Sequence, residues 1–259
     1  MSKNLSTRMV VFASGPVGHQ AVMHLTEHWS SNLAGVVSAG PDPILAKLLE
    51  TQPASLTVWD PQLAQNCRDA IAALKPDIIV LAWWPYILKT AELRLGQAYT
   101  LNMHPSYLPH CRGKDPNFWA IIERRPFGVT IHHVDEGVDT GDIAFQRMIE
   151  IGWEDTGETL YHRAKNTMTQ LFADVCPRIL ALDIPRLPQS HAEGSFHLRR
   201  ELDKASEIDL ERLYTGREIL DLLRARTFLP HAGAHFGESG QIYDVRVSIQ
   251  KRSDAVESG

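Results

Sequence analysis

Met9-Val10-Val11-Phe12-Ala13-Ser14-Gly15-Pro16-Val17-Gly18 passes from a β-rich apolar run into a turn of serine, glycine and proline. Ala21, Val22 and Leu25 then recur at helical spacing, so the stretch reads as strand, turn and helix. Further out, Leu33 to Val37, Ser55 to Trp59 and Ile78 to Ala82 are short apolar runs, the last two separated by a helical stretch from Pro61 to Leu74. Strands alternating with helices call for a mostly parallel sheet flanked by helices, because each crossover lays its helix on the sheet. The expectation is an α/β main domain over residues 1–184. Gly15-x-x-Gly18 is only a fragment of a dinucleotide fingerprint, without the full GxGxxG pattern or a clear acidic partner after the second strand. A tight strand-to-helix turn is the simpler reading.

Tyr99 to Met103 reads as another strand and Gly128 to Val134 as one more, with a proline- and glycine-rich loop, Pro105 to Pro116, near their meeting point. Asp155 and Glu158, three apart, read as a capping box opening a long helix from Leu160 to Leu182 that closes the main domain. Pro185 to Gly194 is rich in turn formers and reads as a linker. After it, Thr215 and Glu218 cap a short helix through Ala225, and Gln241 to Ile249 alternates as a strand following Gly237 to Gly240. Residues 185–259 are therefore expected to form a linker and a small helix and β-hairpin appendage.

Hydrophobic residues make up 44% of the chain and charged ones 22%, which suits a globular protein and not a disordered or fibrous one. The formal net charge of −5 lacks the positive excess that phosphate-backbone binding draws on, so nucleic acid is not an expected partner. Cys67, Cys111 and Cys176 are odd in number and widely spaced, with no CxxC pair; neither a metal nor a redox dithiol is expected, and a reduced, cytoplasmic setting is. Met1 to Arg8 is polar and the apolar run after it is too short for a signal core or a membrane span.

Asn102 and His104 sit two apart on a strand, so both side chains face the same way. Pro105-Ser106-Tyr107-Leu108-Pro109 follows as a rigid loop, leaving the pair at the strand's C-terminal end, where open α/β sheets bind ligands. Downstream, Asp135-Glu136-Gly137-Val138-Asp139-Thr140-Gly141-Asp142 is a bent loop rich in carboxylates. By itself it reads as a solvated acidic turn, and a lone His or Asn is more often structural. Spacing leaves the choice open.

The ordered blocks Leu101-Asn102-Met103-His104-Pro105-Ser106-Tyr107-Leu108-Pro109, Arg112-Gly113, Gly128-Val129-Thr130-Ile131-His132 and Asp139-Thr140-Gly141-Asp142-Ile143 resemble the signature of the folate-dependent formyltransferases. That family includes glycinamide ribonucleotide, methionyl-tRNA and sugar-nucleotide formyltransferases, and the likeness runs from Met9 to Leu182. It implies a Rossmann-like formyltransferase core, with N10-formyltetrahydrofolate as co-substrate. The family's catalytic Asn, His and Asp fall on Asn102, His104 and Asp139. Its folate pocket falls on Trp84, Tyr86, Ile87 and Leu88 and on Glu136, Gly137 and Asp139. Trp83-Trp84-Pro85 departs from the small, glycine-containing stretch usual there, and the two tryptophans equally suit core packing.

The chemistry accounts for these residue types. Acyl transfer to an amine builds negative charge on the carbonyl oxygen, which donors such as Asn102 and His104 stabilise; losing one such donor typically costs ~10²- to 10³-fold in rate. His104 could also shuttle the proton that the amine loses and the folate nitrogen needs, with Asp139 fixing its protonation and orientation or positioning a relaying water.

The acceptor is read from the tail. Leu222 to Phe228, Pro230 to Phe236 and the final strand are similar to the tail of sugar-nucleotide N-formyltransferases, whose short C-terminal elements take part in dimerisation. Methionyl-tRNA formyltransferases generally carry a longer, basic C-terminal barrel. The resemblance thus implies a homodimer, joined through the appendage, that formylates a nucleotide-linked amino sugar. Arg112 and Lys114 are candidates to steer a diphosphate, or are ordinary loop charges. Arg224-x-Arg226 reads as an RNA contact or, more simply, as two solvated cations at a helix end. Hydroxyornithine-type amino-acid formyltransferases share the whole core and stay open. A formyltetrahydrofolate hydrolase normally adds an N-terminal domain, whereas the first strand here starts near Met9. A non-catalytic nucleotide-binding module would not need the three polar residues intact.

Overall fold

A computed structural model describes residues 6–190 and 192–252, so the first residues of the polar start, His191 of the linker and the end of the appendage lie outside the described residues. In chain order the elements are β1 (Met9–Ala13), α1 (Gly15–His28), β2 (Leu33–Ser38), α2 (Pro43–Leu49), β3 (Ser55–Val58) and, after a 3-10 turn at Pro61–Leu63, α3 (Ala64–Ala73). There follow β4 (Ile78–Ala82), α4 (Thr90–Leu93), β5 (Tyr99–His104), β6 (Arg112–Gly113), α5 (Pro116–Ile122), β7 (Phe127–His133), β8 (Ile143–Ile149) and α6 (Gly157–Leu180). The chain closes with β9 (Phe196–His197), α7 (Glu201–Ala205), α8 (Gly216–Arg226), β10 (Ala234–Glu238) and β11 (Gln241–Val245).

Seven strands form one sheet in the order β3-β2-β1-β4-β5-β7-β8. The first five run parallel, and β7 and β8 join antiparallel. The mostly parallel sheet expected from the alternation is therefore present. Strand β1 shows why its run is continuously apolar: Met9, Val11 and Ala13 face one core cluster with α1 and α6, while Val10 and Phe12 face a second that includes Ile71 of α3. Leu202, Leu222, Ala225 and Ala234, from the C-terminal segment, belong to the first cluster. At the first turn Gly15 has φ of +57°, and a Cβ on Gly18 would lie 2.9 Å from the Ala13 carbonyl carbon. The two glycines let α1 leave β1 at close range, which is the tight-turn reading.

Several expectations need correction. The N-cap of α6 is Thr156, not the Asp155/Glu158 pair: Thr156 Oγ1 accepts from Thr159 N at 3.2 Å, and Thr159 Oγ1 accepts from Thr156 N at 2.9 Å. Asp155 instead accepts from Gly152 N and pairs with Arg163, holding the turn before the helix. Thr215 and Glu218 do form the expected reciprocal cap of α8. Arg224 is not solvated: its Nε and Nη2 meet Asp221 at 2.9 and 2.8 Å, and its Nη1 donates to Gly152 O at 2.7 Å. The final strand stops at Val245 and closes a hairpin with β10 through Ser239 and Gly240, both at positive φ.

The linker is stitched down. Leu187 exchanges both backbone hydrogen bonds with Ile143, and His133 Nε2 donates to Pro185 O at 2.8 Å. Just beyond it β9 pairs with β6, tying the C-terminal segment to the loop after β5. Helices α2, α4, α5 and α7 and strands β6, β8 and β9 were not foreseen; β6 and β9 are two residues each and exist only through their pairing.

Candidate active site

β5 presents Asn102 and His104 on one face, and its antiparallel register sets Asn102 directly opposite His132 of β7. The β7–β8 loop then brings Asp139 over the strand ends. Asp135 shapes that loop, its Oδ1 accepting from Gly137 N at 3.0 Å and Thr140 Oγ1 at 2.6 Å. Asp139 adopts a left-handed φ of +54°, which points its side chain inward while Asp142 turns outward to Arg186. From the linker, Gln189 Nε2 donates to Asp139 O at 3.0 Å and Gly141 O at 2.6 Å. Of the four loop carboxylates, Asp139 is the one turned into the protein at this point.

Both oxygens of Asp139 meet donors. Oδ2 accepts from Gly113 N at 3.0 Å; Oδ1 accepts from Asn102 Nδ2 at 3.3 Å and lies 3.5 Å from both His104 Nδ1 and His132 Nε2. His132 Nδ1 lies 2.8 Å from His133 O, which only accepts, so Nδ1 carries a proton and a neutral His132 offers its Nε2 lone pair to Asn102 Nδ2 at 3.1 Å. His104 places Nδ1 toward Asp139 and leaves Nε2 buried without a hydrogen-bond partner among the described residues.

Burial pushes the His104 imidazole below its usual range, more than the nearby Asp139 charge raises it. Burial pushes Asp139 up, but the His104 imidazole and the Gly113 N–H outweigh it and hold the carboxyl well below the usual carboxylate range. The two directions agree on one state at neutral pH: an ionised Asp139 beside a neutral His104.

These groups line a cavity of about 610 Å³, within the ordinary range for small-molecule pockets. Trp84, Tyr86, Ile87 and Leu88 form one wall, and Glu136, Gly137 and Asp139 lie on the facing loop. Trp83, at φ of +63°, turns the chain so that its own ring packs near Tyr161 and that of Trp84 near Phe12, with centroids 5.8 and 5.0 Å apart. The indole Nε1 of Trp84 is buried without a partner among the described residues. Lys114 lines the cavity; Arg112 does not, its guanidinium lying over Phe196 at 5.9 Å from the ring centroid.

Sequence reasoning missed His132, although the strand period that pairs Asn102 with His104 also puts Thr130 and His132 on one face. It missed Tyr161, Arg199, Phe228 and His231, which line the far end of the cavity and carry no local signal. Among the described residues no group of three or more His, Cys, Asp or Glu is placed to hold a metal ion. No helix among them is long and apolar enough to cross a membrane.

The family profile described as formyl transferase matches residues 7–176, and that of an N-formyltransferase dimerization C-terminal domain matches residues 201–251. A methionyl-tRNA formyltransferase of Anaeromyxobacter dehalogenans is 48% identical over 194 residues, covering 73% of this chain and 61% of that protein. The curated relatives are longer, and the match spans as little as 42% of the one from Methylacidiphilum infernorum. Among solved structures, a 4-N formyltransferase from Francisella tularensis superposes with a TM-score of 0.80 at 23% identity, covering 95% of this chain and 99% of that one. A formyltransferase from Anoxybacillus kamchatkensis, solved with UDP-4,6-dideoxy-4-formamido-L-AltNAc and tetrahydrofolate, is 31% identical with a TM-score of 0.53, covering 73% of this chain and 96% of that one.

Proposed function

The chain belongs to the formyl transferase family, and from that premise we propose that it moves a formyl group from N10-formyltetrahydrofolate to the amino group of a nucleotide-linked amino sugar. The observation that carries the reading is one cavity lined by Asn102, His104 and Asp139, where His104 turns Nδ1 to Asp139 and leaves Nε2 without a partner among the described residues. The sugar nucleotide is supported by the Anoxybacillus relative, solved in complex with a UDP-linked formamido sugar and tetrahydrofolate. Trp84, with its buried unpartnered N–H, and apolar Leu88 and Val138 fit a flat heterocycle with polar edges, as a folate is. When bound, the donor supplies an activated formyl carbon.

The residues act as follows. With its proton on Nδ1 facing Asp139, His104 holds a lone pair on Nε2 and takes the proton of the incoming amine. The ionised Asp139 stabilises the imidazolium so formed, which then returns the proton to the departing nitrogen. Asn102 Nδ2 already lies on Asp139 and His132, so stabilising the developing oxyanion redirects one of these two bonds, the 3.3 Å contact to Asp139 being the longer.

We assign residues 1–184 to catalysis and 185–259 to the linker and appendage, through which a homodimer forms; exposed Leu213, Ile242 and Tyr243 suit such a contact. A cytoplasmic setting suits the three free, buried cysteines. Methionyl-tRNA as acceptor is a second reading, favoured by the 48% identity to the Anaeromyxobacter enzyme. The net charge of −5 counts against it.

Mass spectrometry of products from a panel of amino-sugar nucleotides, charged initiator tRNA and hydroxyornithine, each with formyl donor, decides among acceptors. Formylation confined to tRNA or an amino acid, or formate release with no acceptor, overturns the sugar-nucleotide reading.

A further inference from the structure

Past His104 the cavity continues between α5, α6 and the C-terminal segment, and its charge changes sign. The β7–β8 loop side carries Asp135, Glu136 and Asp139; the far side carries Lys114, Arg199 and Arg226. Arg199 is committed to Asp115 by an ion pair. Arg226 is not committed: among the described residues no ion pair or hydrogen bond engages its guanidinium, and its Nε is buried. Asp115, Asp203 and Asp244 act on it only through space, while burial and the neighbouring Arg199 oppose its charge. The exposed ammonium of Lys114 has no ion-pair partner among the described residues either.

A guanidinium stays protonated at any physiological pH, so burial cannot neutralise it, and a buried charge without a partner is costly. Arg226, half-buried on the last turn of α8 with its Nε shielded from solvent, carries part of that cost. Behind it Phe228 packs on Tyr161 and His231, with centroids 5.2 and 4.8 Å apart, fixing the direction in which the chain leaves the helix. The planar fork of an arginine matches two oxygens of one phosphoryl group. With Arg199 offset by Asp115, Lys114 and Arg226 leave two uncompensated positive charges, which match the two negative charges of a diphosphate diester.

We propose that Arg226, with Lys114, is the phosphoryl-binding subsite for a nucleoside diphosphate carried by the acceptor, so that the acceptor site is completed by the C-terminal segment. This rests on the sugar-nucleotide reading above and adds the residue that recognises the phosphates. It also places Arg112, lying over Phe196, outside phosphate recognition.

The test compares wild type, Arg226→Met, Arg226→Lys and a control, Arg217→Met, whose residue lies on the same helix over Trp153 and away from the cavity. The measurements are kinetics with an accepted amino-sugar nucleotide, inhibition by UDP and dTDP, and tetrahydrofolate binding by calorimetry. Arg226→Met is expected to raise the acceptor KM and the nucleotide Ki together by about 10- to 100-fold, the worth of a charge-assisted hydrogen bond. Arg226→Lys should restore part of the loss. Tetrahydrofolate affinity stays within about twofold, which shows the variant folded, and Arg217→Met tracks wild type. Unchanged KM and Ki in Arg226→Met, with wild type active on sugar nucleotides, overturns this inference alone. Wild type that ignores every sugar nucleotide and is not inhibited by UDP or dTDP overturns the underlying reading as well.

Discussion

Asp139→Asn keeps the shape of the side chain and removes one charge and one acceptor. In the wild type both carboxylate oxygens face donors: Gly113 N–H on Oδ2, and Asn102 Nδ2 with His104 Nδ1 on Oδ1. An asparagine must turn its NH2 toward one of these sets. Keeping the bond to Gly113 sets NH2 against His104 Nδ1, which then has to accept, and the imidazole proton moves to Nε2. The lone pair that receives the amine proton is gone. Loss of general-base catalysis lowers turnover by about 10²- to 10⁴-fold, or roughly 3–5 kcal/mol in the barrier, while donor binding by the Trp84 wall persists. The acid limb of the rate profile supplies a second readout. Burial already sets His104 below the usual imidazole range, and removing the Asp139 charge that opposes this shifts the limb to still lower pH. The stability effect has a definite sign: because the Asp139 pKa is depressed on folding, its contribution is present above the unfolded carboxylate value of about 3.9 and is lost as pH falls through the folded one. The stability gap between wild type and variant therefore closes in acid. Single-turnover transfer followed by mass spectrometry across pH, with parallel thermal melts, measures all three. Turnover within about threefold of wild type, when a base is worth ~10²-fold or more, would refute the reasoning.

Gln189→Leu releases the carbonyls of Asp139 and Gly141 from the linker; kcat should fall about 10- to 100-fold through misplacement of Asp139, with tetrahydrofolate affinity little altered, and an unchanged kcat would show that the loop holds itself. Phe12, fully buried between α3 and the Trp59–Trp84 rings, should cost about 3–5 kcal/mol as Phe12→Ala in chemical denaturation; a loss under about 1 kcal/mol would mean the second core cluster collapses around the gap. Ile242→Glu, at a side chain 77% exposed on the hairpin, should convert a dimer to a monomer in light scattering without shifting the melt; a dimer that persists would place the contact elsewhere.

The strands from β1 to β5, helices α1, α3 and α8 and the Gly15–Gly18 turn were legible because each is written in neighbouring residues: a run, a period, a cap, a glycine where no Cβ fits. The same period placed Asn102 and His104 on one face. It did not reveal that β7 runs antiparallel and sets His132 opposite Asn102, since register is a property of pairing and not of either strand. Thr156 took the cap expected of Asp155 because the helix begins one residue later than the Asp155–Glu158 spacing implies, with Asp155 drawn off to Gly152 N and Arg163.

Sequence by itself determined the layered α/β architecture and the polar pair at the end of β5, because both follow from short-range periodicity. Spacing left the four loop carboxylates alike and only the family resemblance singled out Asp139; tertiary structure supplies the physical reason, drawing in Asp139, 37 residues from Asn102 along the chain, to that pair. It alone decided that the linker clamps the loop and that Arg226 reaches the same cavity with no ion-pair partner among the described residues. Those meetings depend on how crossovers and strand pairings fold distant segments together, and burial and charge act on a side chain only once its neighbours in space are in place.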